Sequence, residues 1–287
     1  MITFTVPPDY PEQKVRYFLA SQGRVSSTLW KKIKWHGQLF INGQYINNAA
    51  KAIVRGNDII SYELAADSKL IPCNKPLNII YEDDWLLIIN KPAAQIIHPT
   101  NKACCDTTVN IIAGYYIKTA QKTGCHPVYR LDRNTTGLII VAKQPQIQYY
   151  LTKSHDKICR FYKAFVSGHM HPKEAMFCEP IARKNTSIIE QMVSQTGKPA
   201  LTRYNVLSEK DNYSLLNIRL YSGRTHQIRV HLSHAHHPLL GDDLYGGDCT
   251  LIKRQALHAY RIIFIHPITK KKFDISIPLP EDMLQLL

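Results

Sequence analysis

Apolar positions near the N-terminus follow first a helical period and then a two-residue period. The stretch KVRYFLASQ predicts a short helix, and a second helix is expected to begin at Ser26 or Ser27, either of which can cap it, and to end at Gly37. Apolar runs on both sides of Asn42 and Gly43 predict a β-hairpin, because this residue pair favours the tight turn between two antiparallel strands. With a further strand at DIISYE, these elements form one compact N-terminal unit.

The pattern changes after residues 65–76, which predict a linker because they contain two prolines and show no periodicity. Short apolar runs at residues 79–81 and 86–90 predict strands, and the stretches TTVNIIAGYYIK and QPQIQYYLTKSH predict helices. Later runs rich in Val, Ile, Tyr and Phe predict further strands: RFYKAFVSG, PALTRYNVLSE, NYSLLNIRLYSG and YRIIFIHP. We therefore expect an α+β fold, in which residues 71–287 form a domain with a mixed, largely antiparallel sheet and residues 1–70 form a small α/β domain.

The size and charge of the chain limit the range of functions that it can have. With 287 residues and 45% hydrophobic content, it can bury one substantial core and still form a small additional module. Its 36 Lys and Arg residues exceed its 22 Asp and Glu residues, which gives a formal net charge of +14 at pH 7. Basic side chains displace the counterions condensed on phosphates, so this excess favours a nucleic acid as partner, although charge alone does not separate RNA from DNA.

Several classes of protein are disfavoured by what the sequence lacks. Its seven cysteines contain no CxxC spacing, which argues against a disulfide framework or a zinc ribbon and fits reduced thiols in the cytoplasm. The start of the chain has no pattern of a secretory leader, and no apolar run is long enough to span a membrane. There is also no glycine-rich phosphate loop, so the sequence implies no nucleotide cofactor.

Asp132 is the strongest candidate for a reactive group. In VYRLDRNTTGLIIVAK it lies between Arg130 and Arg133, and a Thr-Thr-Gly turn follows before an apolar strand. Nearby positive charge favours the anionic form of a carboxylate, so Asp132 should be ionised at neutral pH and could act as a nucleophile or stabilise charge at a sugar carbon. In isolation, the same pattern more often indicates a structural ion pair in a turn.

Five further blocks surround this motif: IIYEDDWLLIINKPAAQIIHPT, RFYKAFVSG, TGKPALTRYNVL, SGRTHQIRVHLSHAHHPLLGDDLYGG and LHAYRIIFIHP. In content and order they resemble the RluA-type pseudouridine synthases, whose signature is an arginine-leucine-aspartate core followed by a Thr/Ser-Gly turn. The resemblance implies an RNA uridine isomerase that flips its target base and needs no cofactor. It also assigns the histidines of HLSHAHH to a family loop rather than to a metal site: His231, His234, His236 and His237.

The resemblance gives several side chains a role. It makes Asp132 the essential aspartate, places Arg130 where an arginine fills the space left by the flipped nucleotide, and makes Tyr162 the active-site tyrosine. Arg229 becomes the arginine that pairs with Asp132, and Arg224 is a close competitor because GRTHQIR offers two arginines. Without this context, Tyr162 would be interpreted as a core residue, and Arg229, in a strand, as an ordinary surface arginine. Further side chains are expected to contact RNA: Arg133, Arg224 and His226.

Three positions depart from the family pattern. Tyr129 stands where the family more often has His, and Asn134 and Thr136 replace the commoner Asp and Ser. These replacements keep the hydrogen-bonding chemistry of a turn, so they bear on substrate detail rather than on catalysis.

The N-terminal unit has a resemblance of its own. KVRYFLA, the cationic second helix, the FINGQYI hairpin and VRGNDII are similar to the alpha-L RNA-binding domain, also described as S-four-like. This resemblance implies pairing with RNA phosphates by four side chains: Arg24, Lys31, Lys32 and Lys34. The alternative for the lysines is the solvated face of an amphipathic helix.

Several alternatives stay open. The N-terminal unit favours large-subunit ribosomal RNA over tRNA as the substrate, but no residue identifies a nucleotide. Asp132 could attack the anomeric carbon or assist deprotonation of the sugar to a glycal-like intermediate. Two rival functions are an RNA-binding assembly factor with an inactive catalytic fold and a hydrolase that excises the base. We expect a cytoplasmic monomer that does not bind membranes.

Overall fold

The computed structural model describes residues 2–23, 25–64, 70–100, 104–153 and 158–287. Within these ranges the helices are α1 (Val15–Ser21), α2 (Ser27–His36), α3 (Thr108–Lys118), α4 (Pro145–Lys153), α5 (Gln227–His234) and α6 (Glu281–Leu284). The strands are β1 (Ile2–Thr5), β2 (Gln13–Lys14), β3 (Gly37–Ile41), β4 (Gln44–Tyr45), β5 (Ile53–Val54), β6 (Ile59–Leu64), β7 (Ile79–Glu82), β8 (Leu86–Lys91), β9 (His126–Pro127), β10 (Thr136–Ala142), β11 (Cys159–Ser167), β12 (Glu174–Phe177), β13 (Ile181–Arg183), β14 (Gln191–Val193), β15 (Thr202–Lys210), β16 (Tyr213–Leu220), β17 (Leu257–Ile265) and β18 (Lys272–Ser276).

The N-terminal unit combines α1 and α2 with an antiparallel sheet of order β1-β6-β3-β4. The side chain of Ser26 accepts a hydrogen bond from the backbone N–H of Leu29 at 3.1 Å, so Ser26 rather than Ser27 caps α2. Asn42 and Gly43 have φ values of 52° and 78° and form the turn between β3 and β4. The two predicted helices and the predicted hairpin are therefore confirmed.

This unit has a hydrophobic core of its own, in which Phe18, Ile33 and Tyr62 are almost fully buried. The large sheet has a separate core. One polar side chain joins the two parts: Gln146 of α4 accepts a hydrogen bond from the Tyr62 hydroxyl at 3.0 Å and donates one to the carbonyl of Gly23 at 2.7 Å. The domain boundary near residue 70 stays a prediction.

The second sheet has the order β12-β15-β16-β11-β17-β10-β8-β7, and β18 and β9 add beside β17 and β10. In the described part of the chain β10 and β17 are parallel, and the other strand pairs of this sheet are antiparallel. The strands expected in this domain correspond to β7, β8, β11, β15, β16 and β17, and the two expected helices are α3 and α4. The predicted α+β fold with a mixed, largely antiparallel sheet is confirmed.

β8 and β10 lie inside this sheet because both are apolar along most of their length. Every residue of β10 is buried, and β8 is buried at all positions but one. Strands of this composition bury both faces. Since β10 begins at Thr136, its burial fixes the end of the loop that contains Asp132.

Gly137 allows β10 to approach β17 closely. Its φ is +116°, and a Cβ atom at this position would lie 2.3 Å from the carbonyl oxygen of Ala259, its partner in β17. Beside it, the Oγ1 atom of Thr136 lies 2.7 Å from Nδ1 of His258. These contacts anchor the turn after Asp132.

We expect Gly137→Ala to lower the free energy of unfolding by about 1–3 kcal/mol through backbone strain, and further through the clash with β17. The control is Gly246→Ala, because Gly246 also has a positive φ, 83°, but no atom within 4 Å of a Cβ position. Urea unfolding of both variants measures the difference. Equal losses in the two variants would contradict a role for the close approach of β10 to β17.

Candidate active site

Asp132 lies in the loop between β9 and β10. The turn is closed by a hydrogen bond from the backbone N–H of Thr135 to the carbonyl of Asp132 at 3.2 Å. The Asp132 side chain is 25% exposed, and its contacts with charged groups involve one carboxylate oxygen, Oδ2. Within the described residues Oδ1 has no hydrogen-bond partner, so this oxygen is accessible to a substrate.

Arg229 connects Asp132 to a second, buried carboxylate. Its Nη1 atom lies 3.4 Å from Oδ2 of Asp132, whereas its Nε and Nη2 atoms donate to the two oxygens of Asp242 at 2.7 and 2.8 Å. Arg229 lies on α5, not in a strand, and the side chain of Asp242 is only 1% exposed. Paired parallel bonds to a carboxylate fix a guanidinium in position and in plane. Asp242 therefore determines where Arg229 meets Asp132.

The charge of Arg229 is maintained despite its burial. Burial alone lowers its pKa, but the hydrogen bonds to Asp242 and the charges of Asp242 and Asp132 raise the pKa above its ordinary value. The ring of Tyr245 lies 4.8 Å from the guanidinium carbon and adds a cation–π contact. Arg229 thus keeps a positive charge beside Asp132.

His226 faces Asp132 from the start of α5. Its φ is +55°, a left-handed conformation that directs the ring inward, and Nε2 lies 4.0 Å from Oδ2 of Asp132. The Tyr245 hydroxyl accepts the backbone N–H of Gln191 at 2.9 Å and lies 2.9 Å from Nδ1 of His226. Tyr245 thus links the backbone of β14 to the imidazole of His226. Burial lowers the pKa of His226, so the ring is neutral at pH 7.

Tyr162 lies on β11 and is buried, with 3% of its surface exposed. Burial raises its pKa, and the negative charge of Asp132 raises it further while Arg160 opposes the shift. The phenol is therefore protonated at neutral pH. Its two expected roles, stacking on a base and proton transfer, stay predictions.

Lys91, at the end of β8, is a buried cation that the sequence analysis did not single out. Its Nζ atom donates to the carbonyls of Pro92, Gln95 and Arg133 at 2.7, 2.9 and 3.0 Å. Burial lowers its pKa to about 7, an effect that Asp132 opposes. Because Arg133 follows Asp132 directly, Lys91 holds the backbone beside the carboxylate.

The other cationic candidates are distributed differently. Arg130 and Arg133 are exposed on either side of Asp132, where they could meet an RNA backbone. Arg224 does not compete for Asp132, because its Nε atom donates to the carbonyl of Pro199 at 2.9 Å. The structure therefore pairs Arg229, not Arg224, with Asp132.

The N-terminal candidates lie on α2, in a different unit from Asp132. Lys31 and Lys32 are exposed, and Nζ of Lys34 lies 4.3 Å from the ring of Trp35. Arg24 is outside the described residues. RNA binding by α2 stays a prediction.

Two histidines of HLSHAHH form hydrogen bonds through their rings. Nδ1 of His231 lies 2.9 Å from the Thr202 hydroxyl and Nε2 lies 3.0 Å from the carbonyl of Glu179, while Nδ1 of His237 lies 2.8 Å from the carbonyl of Ser167. Within the described ranges no group of His, Cys, Asp and Glu is arranged to hold a metal, and no helix is long and apolar enough to cross a membrane.

Sequence analysis missed Asp242, Tyr245 and Lys91 as members of this site. Asp242 and Tyr245 both belong to PLLGDDLYGG and Lys91 belongs to IINKPAAQ, so the family blocks contained them. An acidic residue directly after the apolar run PLLG was the available signal for a buried carboxylate. The pattern does not say which of the adjacent Asp242 and Asp243 faces inward.

Comparison with solved structures identifies the fold. The human RNA pseudouridylate synthase domain containing 1 superposes with a TM-score of 0.58 at 23% identity, over 72% of this chain and 84% of that chain. The human RNA pseudouridylate synthase domain containing 4 gives the same TM-score at 21% identity, over 72% and 90%. The catalytic domain thus has the pseudouridine synthase fold.

Sequence comparison identifies the family. Residues 85–234 match the model of the RNA pseudouridylate synthase family. The ribosomal large subunit pseudouridine synthase D of Pasteurella multocida is 39% identical over 264 residues, 86% of this chain and 81% of the relative. The protein of that name from Escherichia coli strain K12 is 33% identical over 98% of this chain and 86% of the relative. The chain belongs to the RNA pseudouridylate synthase family, and its prediction as an RNA uridine isomerase is confirmed.

We expect Asp242→Asn to lower the free energy of unfolding by about 3–5 kcal/mol, because it leaves the charge of Arg229 buried without its bidentate partner. The matched control is the adjacent, exposed Asp243, for which Asp243→Asn should change stability by about 0.5 kcal/mol or less. Urea denaturation followed by tryptophan fluorescence measures both. Wild-type stability in the Asp242 variant would contradict the proposed role of the pair.

The stability of the protein should depend on pH through His258, which is buried beside Thr136. Burial lowers the pKa of His258 to about 4. The pKa of this histidine is near 6.5 in the unfolded chain and lower in the folded chain. Between these two pKa values only the unfolded chain binds the proton, so the free energy of unfolding falls as pH decreases through this window. This group should contribute a loss of about 3 kcal/mol between pH 6.5 and 4. Unfolding midpoints across this range should decline less steeply in His258→Gln than in the wild type. Parallel pH profiles would contradict the assignment.

Proposed function

We propose that this protein converts specific uridines of large-subunit ribosomal RNA to pseudouridine, with Asp132 as the reactive carboxylate. The observation that carries the proposal is the pairing of Asp132 Oδ2 with an Arg229 that Asp242 holds, at 3.4 Å, with Oδ1 left without a partner in the described residues. A held, accessible anion is what a reaction at a sugar carbon requires. The relatives named for the ribosomal large subunit support the choice of RNA.

The substrate must first leave the RNA stack. Base flipping costs a few kcal/mol of lost stacking, which a side chain that fills the gap can partly restore. Arg130 is exposed next to the Asp132 loop and has a planar guanidinium suited to stacking. We assign this role to Arg130.

The isomerisation then exchanges one bond of the sugar for another. The bond from C1′ to N1 of uracil breaks and the base turns within the site. C1′ then joins C5, C5 loses its proton, and N1 takes up a proton. Tyr162, protonated and close to Asp132, can hold the ring of the base by stacking and take part in proton transfer. No redox partner or external energy is needed, since the atoms of product and substrate are the same.

Two routes are compatible with this arrangement. Asp132 either attacks C1′ to form a covalent ester or removes a proton from the sugar so that a glycal-like intermediate forms. A glycosidase usually places a second carboxylate as proton donor. Asp242 does not serve in that way, because its two oxygens are occupied by Arg229. A single reactive carboxylate suits a uracil that leaves as a stabilised anion and stays bound.

Recognition of the RNA is assigned to cations on α2 and beside Asp132. Lys31, Lys32 and Lys34 of α2 and the arginines that flank Asp132 can pair with phosphates. Such contacts position an RNA without reading its sequence, so they fit a large structured substrate. A ribosomal RNA substrate also implies a cytoplasmic protein, as expected from the cysteines.

We expect Asp132→Asn to reduce the rate of pseudouridine formation by on the order of 10³-fold or more, because the amide removes the reactive anion and keeps the shape of the side chain. Release of tritium from RNA labelled at uridine C5 measures the rate, and Asp243→Asn is the control, since Asp243 is a nearby exposed carboxylate. Pseudouridine maps of ribosomal RNA from cells that carry either variant identify the sites that depend on Asp132.

The same experiment separates the rival functions. Full tritium release by Asp132→Asn would reject Asp132 as the reactive group. No release by the wild-type chain on any cellular RNA would favour the assembly factor. Product mass distinguishes the hydrolase, because isomerisation leaves the mass of the RNA unchanged and excision removes uracil. If Asp132→Asn removed pseudouridines from tRNA and none from ribosomal RNA, the proposed ribosomal substrate would be rejected.

A further inference from the structure

The two faces of the large sheet differ in what covers them. On the inner face α5 packs against β15, where His231 lies 2.9 Å from the Thr202 hydroxyl, and Tyr162 of β11 is buried on this side. Side chains alternate between the faces along a strand. The neighbouring residues Arg203 and Phe161 therefore point to the opposite, outer face, where both remain accessible to solvent.

A row of cationic and aromatic side chains crosses this outer face. Arg203 of β15 is paired with Arg219 of β16, and Arg219 is paired with Phe161 of β11. Phe161 is paired in turn with Arg261 of β17. The guanidinium carbons of Arg219 and Arg261 lie 5.7 and 5.5 Å from the Phe161 ring centre, and Arg219 lies 4.5 Å from the ring of Tyr221. Three arginines and one aromatic ring thus form a row across four neighbouring strands.

A β-bulge adds a second row beside the first. The register between β11 and β17 shifts before Tyr162, which makes Tyr260 the additional residue and turns it to the outer face. Its ring lies 4.8 Å from Nζ of Lys163, and its hydroxyl donates to Asn217 at 2.9 Å. The amide of Asn217 donates to Asn205 at 3.1 Å. The bulge therefore produces a polar and aromatic row parallel to the arginines.

The charges on this face are not balanced within the described residues. Two arginines have carboxylate partners: Arg203 pairs with Glu174, and Arg261 pairs with Asp274. Arg219 and Lys163 have no carboxylate partner in the described part of the chain, and Nε of Arg219 is a buried donor without an acceptor there. A hollow of about 210 Å³ lies over Arg219 and extends from Glu174 of β12 to Phe161 of β11. The positive charges of Arg219 and Lys163 favour an anionic ligand at this face.

We propose that the outer face binds a single strand of RNA, separately from the site at Asp132. The outer strip consists of Phe161, Lys163, Asn205, Asn217, Arg219 and Tyr260. Arg219 and Lys163 bind phosphates, and Phe161 and Tyr260 stack on bases. The inference rests on the proposed RNA substrate and extends it, because a large RNA can reach both faces of the sheet.

The composition of the outer strip favours this ligand over a protein surface. Single strands are bound by cations that follow the backbone together with aromatic rings on which bases stack, and Arg planes also stack on bases. A duplex offers no free base faces to Phe161 or Tyr260. The amides of Asn205 and Asn217 can bond base edges or ribose hydroxyls without demanding one sequence.

The test compares a double variant, Lys163→Gln with Arg219→Gln, with the control Lys118→Gln, which removes one exposed charge at the end of α3. All proteins carry Asp132→Asn to prevent turnover, and the probe is a fluorescein-labelled single-stranded oligouridylate. We expect the double variant to bind about tenfold more weakly and its dependence of log affinity on log salt to become shallower by about 0.7 for each lost phosphate contact. The control should bind like the parent protein.

Photocrosslinking tests the site without any substitution in the outer strip. An oligouridylate that contains 4-thiouridine should crosslink to peptides that contain Phe161 or Tyr260. Affinity of the double variant equal to the control, or no crosslink to these peptides, would overturn the proposal. Because the readout is binding by a chain with Asp132→Asn, a crosslink together with no pseudouridine formation by the wild type would reject the proposed function alone.

Discussion

The candidate site depends on how one guanidinium is shared between two carboxylates of different burial. Asp242 accepts hydrogen bonds from Nε and Nη2 of Arg229, and the remaining Nη1 atom lies 3.4 Å from Asp132. A buried ion pair is stable only when hydrogen bonds satisfy both partners, and the two parallel bonds to Asp242 meet that condition. The two hydrogen bonds to Asp242 thus offset the free-energy cost of burying Arg229, and no contact with Asp132 is needed for this. Asp132 can therefore be fixed in position and still remain exposed to a substrate.

The backbone on the other side of Asp132 is held by contacts of a different kind. Lys91 joins three carbonyls, one of which belongs to the residue after Asp132, and His258 lies against the hydroxyl of Thr136. Lys91 and His258 are both buried, and burial lowers the pKa of each. The protonated form of each side chain is therefore less stable here than in water. Gly137 lets β10 approach β17 so that these contacts form. The loop is consequently restrained on the C-terminal side of Asp132.

Alternation along β11 gives the two faces of the sheet different chemistry. Tyr162 is turned inward and stays neutral beside Asp132, whereas Phe161 and Lys163 are turned outward among arginines. A shift of register by one residue would exchange these sets, so the pairing of β11 with β16 and β17 fixes both surfaces together. The bulge at Tyr260 is the local exception, and it adds an aromatic ring to the outer face.

The sequence by itself determined the elements with strong local signals and the family of the protein. A cap at Ser26 or Ser27, the Asn42 and Gly43 turn and the apolar strands followed from short-range patterns, and the family blocks selected Asp132, Tyr162 and Arg229 as candidates. Only the tertiary structure decided that Arg229 rather than Arg224 meets Asp132, and that Asp242 rather than Asp243 is buried behind it. The physical reason is distance along the chain: Asp132 and Arg229 lie on separate elements, and their contact depends on the packing of α5 against the sheet, which no local pattern specifies.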